Sequence, residues 1–289
     1  MRKANSLTKF LRLIYVLLIV VPTFAGFTYA LLHSLGLTGL LTDGLTLKYW
    51  SEALRDFYMW KSIGFSFLIA VISVFLSFCI ALFLVLKLTD DFQKKWFHRL
   101  LFLPLCFPAT VMAFYVMQTF SKSGFLSRLS FQFGWIDHIE SFPELTNDAY
   151  GIGIMLTSVL LVFPFFTLFL KNIFDAERLQ DYGLIAQSLG AKPRHAFWKI
   201  SLALLWQKSK STVVLYIIFV MGSYEVPLLL GRQNPQMITP RIVDKAQRFN
   251  LHDIPQAYVM ALIYLFLVLL LISLMSTRFV QFFKKKTHA

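Results

Sequence analysis

Glu225 is the one carboxylate of this 289-residue chain that falls inside or beside a long apolar run. It sits in GSYEVPLLLG, between Tyr224 and Pro227. A carboxylate at membrane depth faces a cavity or a partner, because exposure to hydrocarbon is costly. Its chemistry there is electrostatic: contact with a cation, or an ion pair with an arginine such as Arg232 or Arg241. Pro227 frees a backbone carbonyl nearby. Counted from Thr212, Glu225 lies about 20 Å along a helix rising 1.5 Å per residue, past the midplane. The plainer alternative is a helix break at the membrane surface with Glu225 solvated. Gln118, Thr157, Ser158 and Thr167 are weaker candidates, since span hydroxyls usually bond carbonyls of their own helix.

Chemistry that breaks bonds is not written here. No G-x-x-x-x-G-K-[ST] occurs, and none of the 13 glycines is followed by Lys, so the chain supplies no P-loop for ATP. His33, His98, His138, His195, His252 and His288 are scattered, and none forms H-E-x-x-H. No G-x-S-x-G is present. We expect no catalytic residue, no metal site and no cofactor in this chain, and each His to be a loop or interface side chain. Cys79 and Cys106 fall in apolar runs and read as small buried hydrophobes, with no disulfide framework.

A second pattern positions rather than reacts. Leu179 to Leu205 reads LQDYGLIAQSLGAKPRHAFWKISLALL, a helix–turn–helix pattern between two apolar runs. Ile185, Ala186 and Leu189 mark one face of a short first helix. Gly190 follows where a left-handed C′ residue would sit. Pro193 suits the first turn of a second helix, and Phe197, Ile200, Leu204 and Leu205 continue its apolar spacing. Such a hairpin docks another protein or lies on lipid headgroups, and periodicity does not choose between them.

The elements that must hold these residues are membrane spans. With 57% hydrophobic residues, a mean hydropathy of +0.64 and 15% charged residues, the chain is too apolar to cover a soluble core. A net charge of +13 could suggest nucleic acid, but the charges are confined to short loops between apolar runs. Six runs are long enough to cross about 30 Å of hydrocarbon: 13–32, 63–86, 100–120, 151–170, 212–230 and 258–275. The first follows a basic N-terminus, and its length favours an uncleaved span over a signal peptide. With the N-terminus inside, the inner segments carry 19 Lys and Arg and the outer ones 9, while ten of fifteen acids lie on the outer side when Glu225, in the outer half of its run, is counted with the nine of the outer segments. Both termini and the hairpin are therefore expected in the cytoplasm. Among the outer segments, 45–60 reads as an interfacial helix, 121–150 as a polar loop, and 242–249 as a short helix.

The hairpin also resembles the cytoplasmic "EAA" loop of permease subunits of binding-protein-dependent ABC importers. Leu184, Ile185 and Ala186 stand at the EAA positions, then Gly190, then Ile200, Leu202 and Ala203. The Gly and its spacing to Ile200 and Leu202 fit; Leu184 replaces the acid, Ile185 the first Ala, and Ala203 the final Pro. The resemblance runs from about Lys61 to Phe279. It implies an all-α integral membrane protein of six transmembrane helices with the MetI-like ABC permease fold. The segments are then 1–60 (tail, first span and outer segment), 61–279 (a five-helix permease core) and 280–289 (a basic tail). It also implies a second permease subunit, with a heterodimer favoured over a homodimer. Two ABC ATPase subunits, which bind the ATP and Mg, dock on the loops, and an extracytoplasmic solute-binding protein delivers a small solute. Leu184, Ile185, Ala186, Gly190, Ile200 and Leu202 would couple to the ATPase, and Tyr224, Glu225 and Pro227 would line the translocation path. The stretch from GSYEVPLLLG to NLHDIPQAYVMA is most similar to polyamine, thiamine, iron(III) and phosphonate permeases. The location implied is the cell's inner or plasma membrane. The alternative from another class is a secondary transporter driven by an ion gradient; such folds show inverted repeats, and none is visible here.

Overall fold

The computed structural model describes residues 6–39, 44–87, 94–190, 192 and 197–286. Among them the chain is helical, without strands. The helices are α1 Ser6–Ser34, α2 Lys48–Arg55, α3 Phe57–Lys87, α4 Lys95–Phe102, α5 Ala109–Phe120, α6 Phe125–Gln132, α7 Ile152–Ala176 and α8 Leu179–Ser188. A π segment, Phe197–Ser201, then leads into α9 Leu202–Met221, α10 Glu225–Leu230, α11 Ile238–Ala246 and α12 Asp253–Lys286. Among the described residues five helices are long and apolar enough to cross a membrane, and a bent pair makes six if it counts as one span. The chain is a multi-pass membrane protein.

Two compact units divide the chain: Met1–Trp60 with Arg241–Ala289, and Lys61–Pro240. In the first, α1 and α2 pack along α12. The His33 ring lies 4.6 Å from that of Tyr258 and edge-on to Tyr29. It is 7% exposed, against the expectation of a loop or interface histidine. Helix contacts, not loop solvation, set its surroundings. The expected interfacial helix at 45–60 is instead α2 and the start of α3, split at Asp56. There Asp56 Oδ1 accepts the Tyr58 N–H at 2.9 Å, and Oδ2 accepts Arg241 Nη2 at 3.3 Å.

In the second unit, α3 buries a stripe of small side chains, Ser62, Ser66, Ala70, Ser73, Ser77 and Ala81. Small residues let helix backbones approach closely where lipid offers no hydrophobic drive. Ser66 Oγ accepts the Ile238 N–H at 2.8 Å. Ile69, Ala113, Val116, Ile154, Val226, Leu230 and Met237 form a core joining α3, α5, α7 and α10. Two span hydroxyls satisfy themselves locally, as expected: Thr157 donates to Gly153 O and Thr167 to Phe163 O, at 2.8 and 2.7 Å.

Five expectations need correction. The run 100–120 is not one straight span: Arg99–Cys106 and the helices from Ala109 to Gln132 meet at 100°. The residue before a proline is pushed out of the helical region. Phe107, before Pro108, has φ −88° and ψ 131°, and Pro108 is extended too. At 12 residues, α5 covers about 18 Å, short of the hydrocarbon core. The run 212–230 is likewise misplaced. Its helix starts ten residues earlier, at Leu202, and ends at Met221, and α10 is a separate element. Lys208 and Lys210, which looked like loop residues, lie inside this helix. Lys208 is held there by Glu177 at 2.7 Å. The outer segment 121–150 carries helix α6, and the short helix expected at 242–249 begins at Ile238. Finally, Cys79 and Cys106 are free but exposed, not buried. An apolar run in a membrane protein spends much of its surface on lipid, so apolar context does not imply a core position.

Candidate functional site

The hairpin is built at the junction of two spans. Helix α7 ends at Ala176, and Arg178 turns the chain in the left-handed region, with φ 49°. Leu179 then anchors α8, 1% exposed. Leu184, Ile185 and Leu189 project outward, 60%, 55% and 82% exposed, with Tyr182 beside them. Ala186 is half-buried. Exposed apolar side chains on a helix that is not itself a span mark a surface for another molecule. The chain leaves α8 through Gly190 at φ +87°, whose N–H donates to Gln187 O at 2.9 Å. The left-handed turn read from the sequence is present. Pro193 lies outside the described residues.

The second arm is not a separate short helix. The π segment carrying Ile200 runs straight into α9, whose first residue is Leu202; both side chains are half-buried. The π segment packs against α8. Glu177 at the end of α7 and Lys208 on α9 form an ion pair across the base of the hairpin. So α8 is joined to the first span by the turn at Arg178, and it packs against the π segment that runs into the second.

The polar pair lies elsewhere in the same unit. Glu225 opens α10, so it is not on the span helix from which its depth was counted. A carboxylate in the first turn interacts favourably with the free N–H groups there. Thr110, in the first turn of α5, donates to Glu225 Oε2 at 2.6 Å. Neither Arg232 nor Arg241 takes the role foreseen for it; Arg241 pairs with Asp56. Glu225 is exposed and Tyr224 half-exposed, while Pro227 is buried in the packing of α10. Beyond Leu230 the chain turns at Gly231, where a Cβ would stand 2.3 Å from Pro227 O, so a side chain there is excluded. Asn147 holds the same turn by donating its N–H to Leu230 O at 2.9 Å.

The sequence did not point to Thr110 or to the Glu177–Lys208 pair. Pro108 does signal a helix start just before Thr110. Nothing marks a partner 115 residues away. Among the described residues no cluster of His, Cys, Asp or Glu is arranged to hold a metal.

No family model matches the chain. The chain is 27% identical over 232 residues to the thiamine transport system permease protein ThiP of Salmonella typhimurium, covering 78% of this chain and 41% of that protein. It is 28% identical over 236 residues to ThiP of Haemophilus influenzae, with the same coverage. It thus spans about two fifths of the length of these relatives. Among solved structures it is similar to a bacterial ABC transporter that imports the acidic polysaccharide alginate. The TM-score is 0.63 at 14% identity, over 92% of each chain. The fold is that of an ABC-importer permease. A second structure of the alginate importer, bound to a periplasmic protein carrying an alginate pentasaccharide, gives a TM-score of 0.60 at 15% identity over 91% of each chain.

Proposed function

We propose that this chain is the transmembrane permease subunit of an ATP-driven ABC importer. It moves a small solute, delivered by an extracytoplasmic binding protein, into the cytoplasm. The observation that carries this is α8: a short helix between two spans, presenting Leu184, Ile185 and Leu189 to a partner, and braced by Glu177–Lys208. The likeness to thiamine permeases supports the same reading. ATP hydrolysis then belongs to two separate ATPase subunits that dock on such hairpins, and this chain is not itself an enzyme. Closure of the ATPase pair pushes α8, and the push passes through the π segment into α9. A stiff element with two positions is what such switching needs. A second permease subunit, different from this one, completes the path. The membrane is the cell's inner membrane, with both chain termini and the hairpin in the cytoplasm.

Glu225 supplies the charge in this scheme. It favours a cationic solute, in keeping with the thiamine carried by the relatives. The Thr110 bond supports a second role, a latch between α5 and α10 that is released during transport.

Uptake into vesicles separates this reading from an ion-driven transporter. We expect uptake to require ATP inside and to survive an ionophore that collapses ion gradients. Uptake abolished by the ionophore and indifferent to ATP would leave the fold standing and remove the function.

A further inference from the structure

The outward wall of α3 holds a groove that the transport scheme does not use. Phe75, Cys79, Leu82, Phe83 and Leu86 line it at helical spacing, and Trp206 of α9 forms the opposite side. Its volume is about 560 Å³. Phe78 floors it, edge-on to Trp206 with ring centres 5.7 Å apart. Leu202 and Lys87 complete the lining, and Lys87 is its one charged member. No ion pair among the described residues takes up the Lys87 amine.

Three properties define the occupant. The stretch from Phe75 to Lys87 rises about 18 Å. One leaflet of hydrocarbon is about 15 Å deep, half of the 30 Å core. The groove therefore runs the depth of one leaflet and ends in a cation where headgroups begin. It is also narrow. Nine side chains line it, far fewer than the 20–30 residues a side of a stable protein interface. A protein partner would need a broader face, whereas an acyl chain needs only a slot.

We propose that this groove seats one acyl chain of an anionic phospholipid, with the lipid phosphate on the Lys87 amine. Leu202 and Trp206 belong to the first turns of α9, just past the π segment. A seated lipid braces the helix that roots the hairpin. The consequence for coupling rests on the permease reading above; the lipid seat itself does not.

The test uses the full chain reconstituted in phosphatidylcholine vesicles that contain either phosphatidylglycerol or phosphatidylcholine with brominated acyl chains. The Trp206 signal is read as the fluorescence difference between the natural chain and Trp206→Phe. We expect brominated phosphatidylglycerol to quench it at about fivefold lower mole fraction, the preference that one lysine near an anionic surface supplies. Lys87→Gln should erase the preference and Lys87→Arg should keep it. Lys87 is exposed at a helix end, so neither change threatens the fold. Equal quenching by the two lipids in the natural chain would overturn the proposal, and so would a preference that survives Lys87→Gln. Absence of quenching by either lipid would also overturn it and show the groove covered by protein. If the preference holds but Lys87→Gln leaves ATP-coupled uptake unchanged, the lipid seat stands and its link to coupling falls.

Discussion

Substituting Gly190 tests the hairpin at its weakest link. The residue sits at φ +87°, and among the described residues no atom lies within 4 Å of where its Cβ would stand. A new side chain therefore meets no neighbour among the described residues, and the cost counted is that of backbone conformation. For an ordinary L residue in the left-handed region that cost is about 1–2 kcal/mol, less for Asn. Such an energy lowers the population of the aligned hairpin about 5–30-fold relative to a straightened one. Gly190→Asn, Gly190→Ala and Gly190→Val should thus form a graded series, mild to severe. Each variant would be co-expressed with the ATPase partner. Membrane insertion, recovery of ATPase with the chain, and substrate-stimulated hydrolysis would then be measured. Insertion should be unchanged, while ATPase recovery and stimulated hydrolysis should fall in the stated order. Full stimulated hydrolysis by Gly190→Val would show that the turn does not transmit anything. An equal loss in all three variants would show that backbone conformation is not the cause.

Orientation can be checked with single cysteines at Ser141 and Ser188, both exposed, in a chain with Cys79 and Cys106 replaced. An impermeant thiol reagent on intact cells should label the first and not the second. Glu225→Gln keeps an acceptor for Thr110 but removes the charge, so under the cation reading uptake should fall while basal ATP hydrolysis stays put. Thr110→Val removes the hydrogen bond and keeps the charge; under the latch reading hydrolysis without solute should rise about two- to tenfold, the range of a bond worth 0.5–1.5 kcal/mol. A double-mutant cycle on Glu177 and Lys208, read as ATPase association, should give a coupling of about 0.2–1 kcal/mol, as expected for a pair this exposed. A value of zero would make the brace incidental.

How much of this was written in the sequence depends on distance along the chain. Gly190 was legible because a helix end needs one left-handed residue, and only local pattern is required to find it. The apolar runs of α3, α7 and α12 were legible because hydrocarbon demands length and little else. The break at 100–120 was also signalled, by Pro104 and Pro108, but a hydropathy run outweighs two prolines when residues are only averaged. The start of α9 was lost for the opposite reason. Lys208 and Lys210 depress the average, and Glu177, which makes Lys208 tolerable, lies 31 positions back. Thr110 and Glu225 meet only because α5 and α10 pack on a shared core, and no local rule foretells a contact of that range. The cysteines misled because burial rules come from proteins whose surroundings are water.

The π segment at the root of α9 has a bearing on how such a protein can change over generations. A π turn bonds residue i to i+5 and so holds one residue more than an α turn. Each residue of an α-helix accounts for about 100° of rotation. The wider turn in Phe197–Ser201 therefore shifts, by about that angle, the side chains just before α9 that pack against α8. A gain or loss of one codon here would re-aim the side chains that meet α8 while the span stayed in place. The packing around α8 and the placement of the span are thus inherited separately.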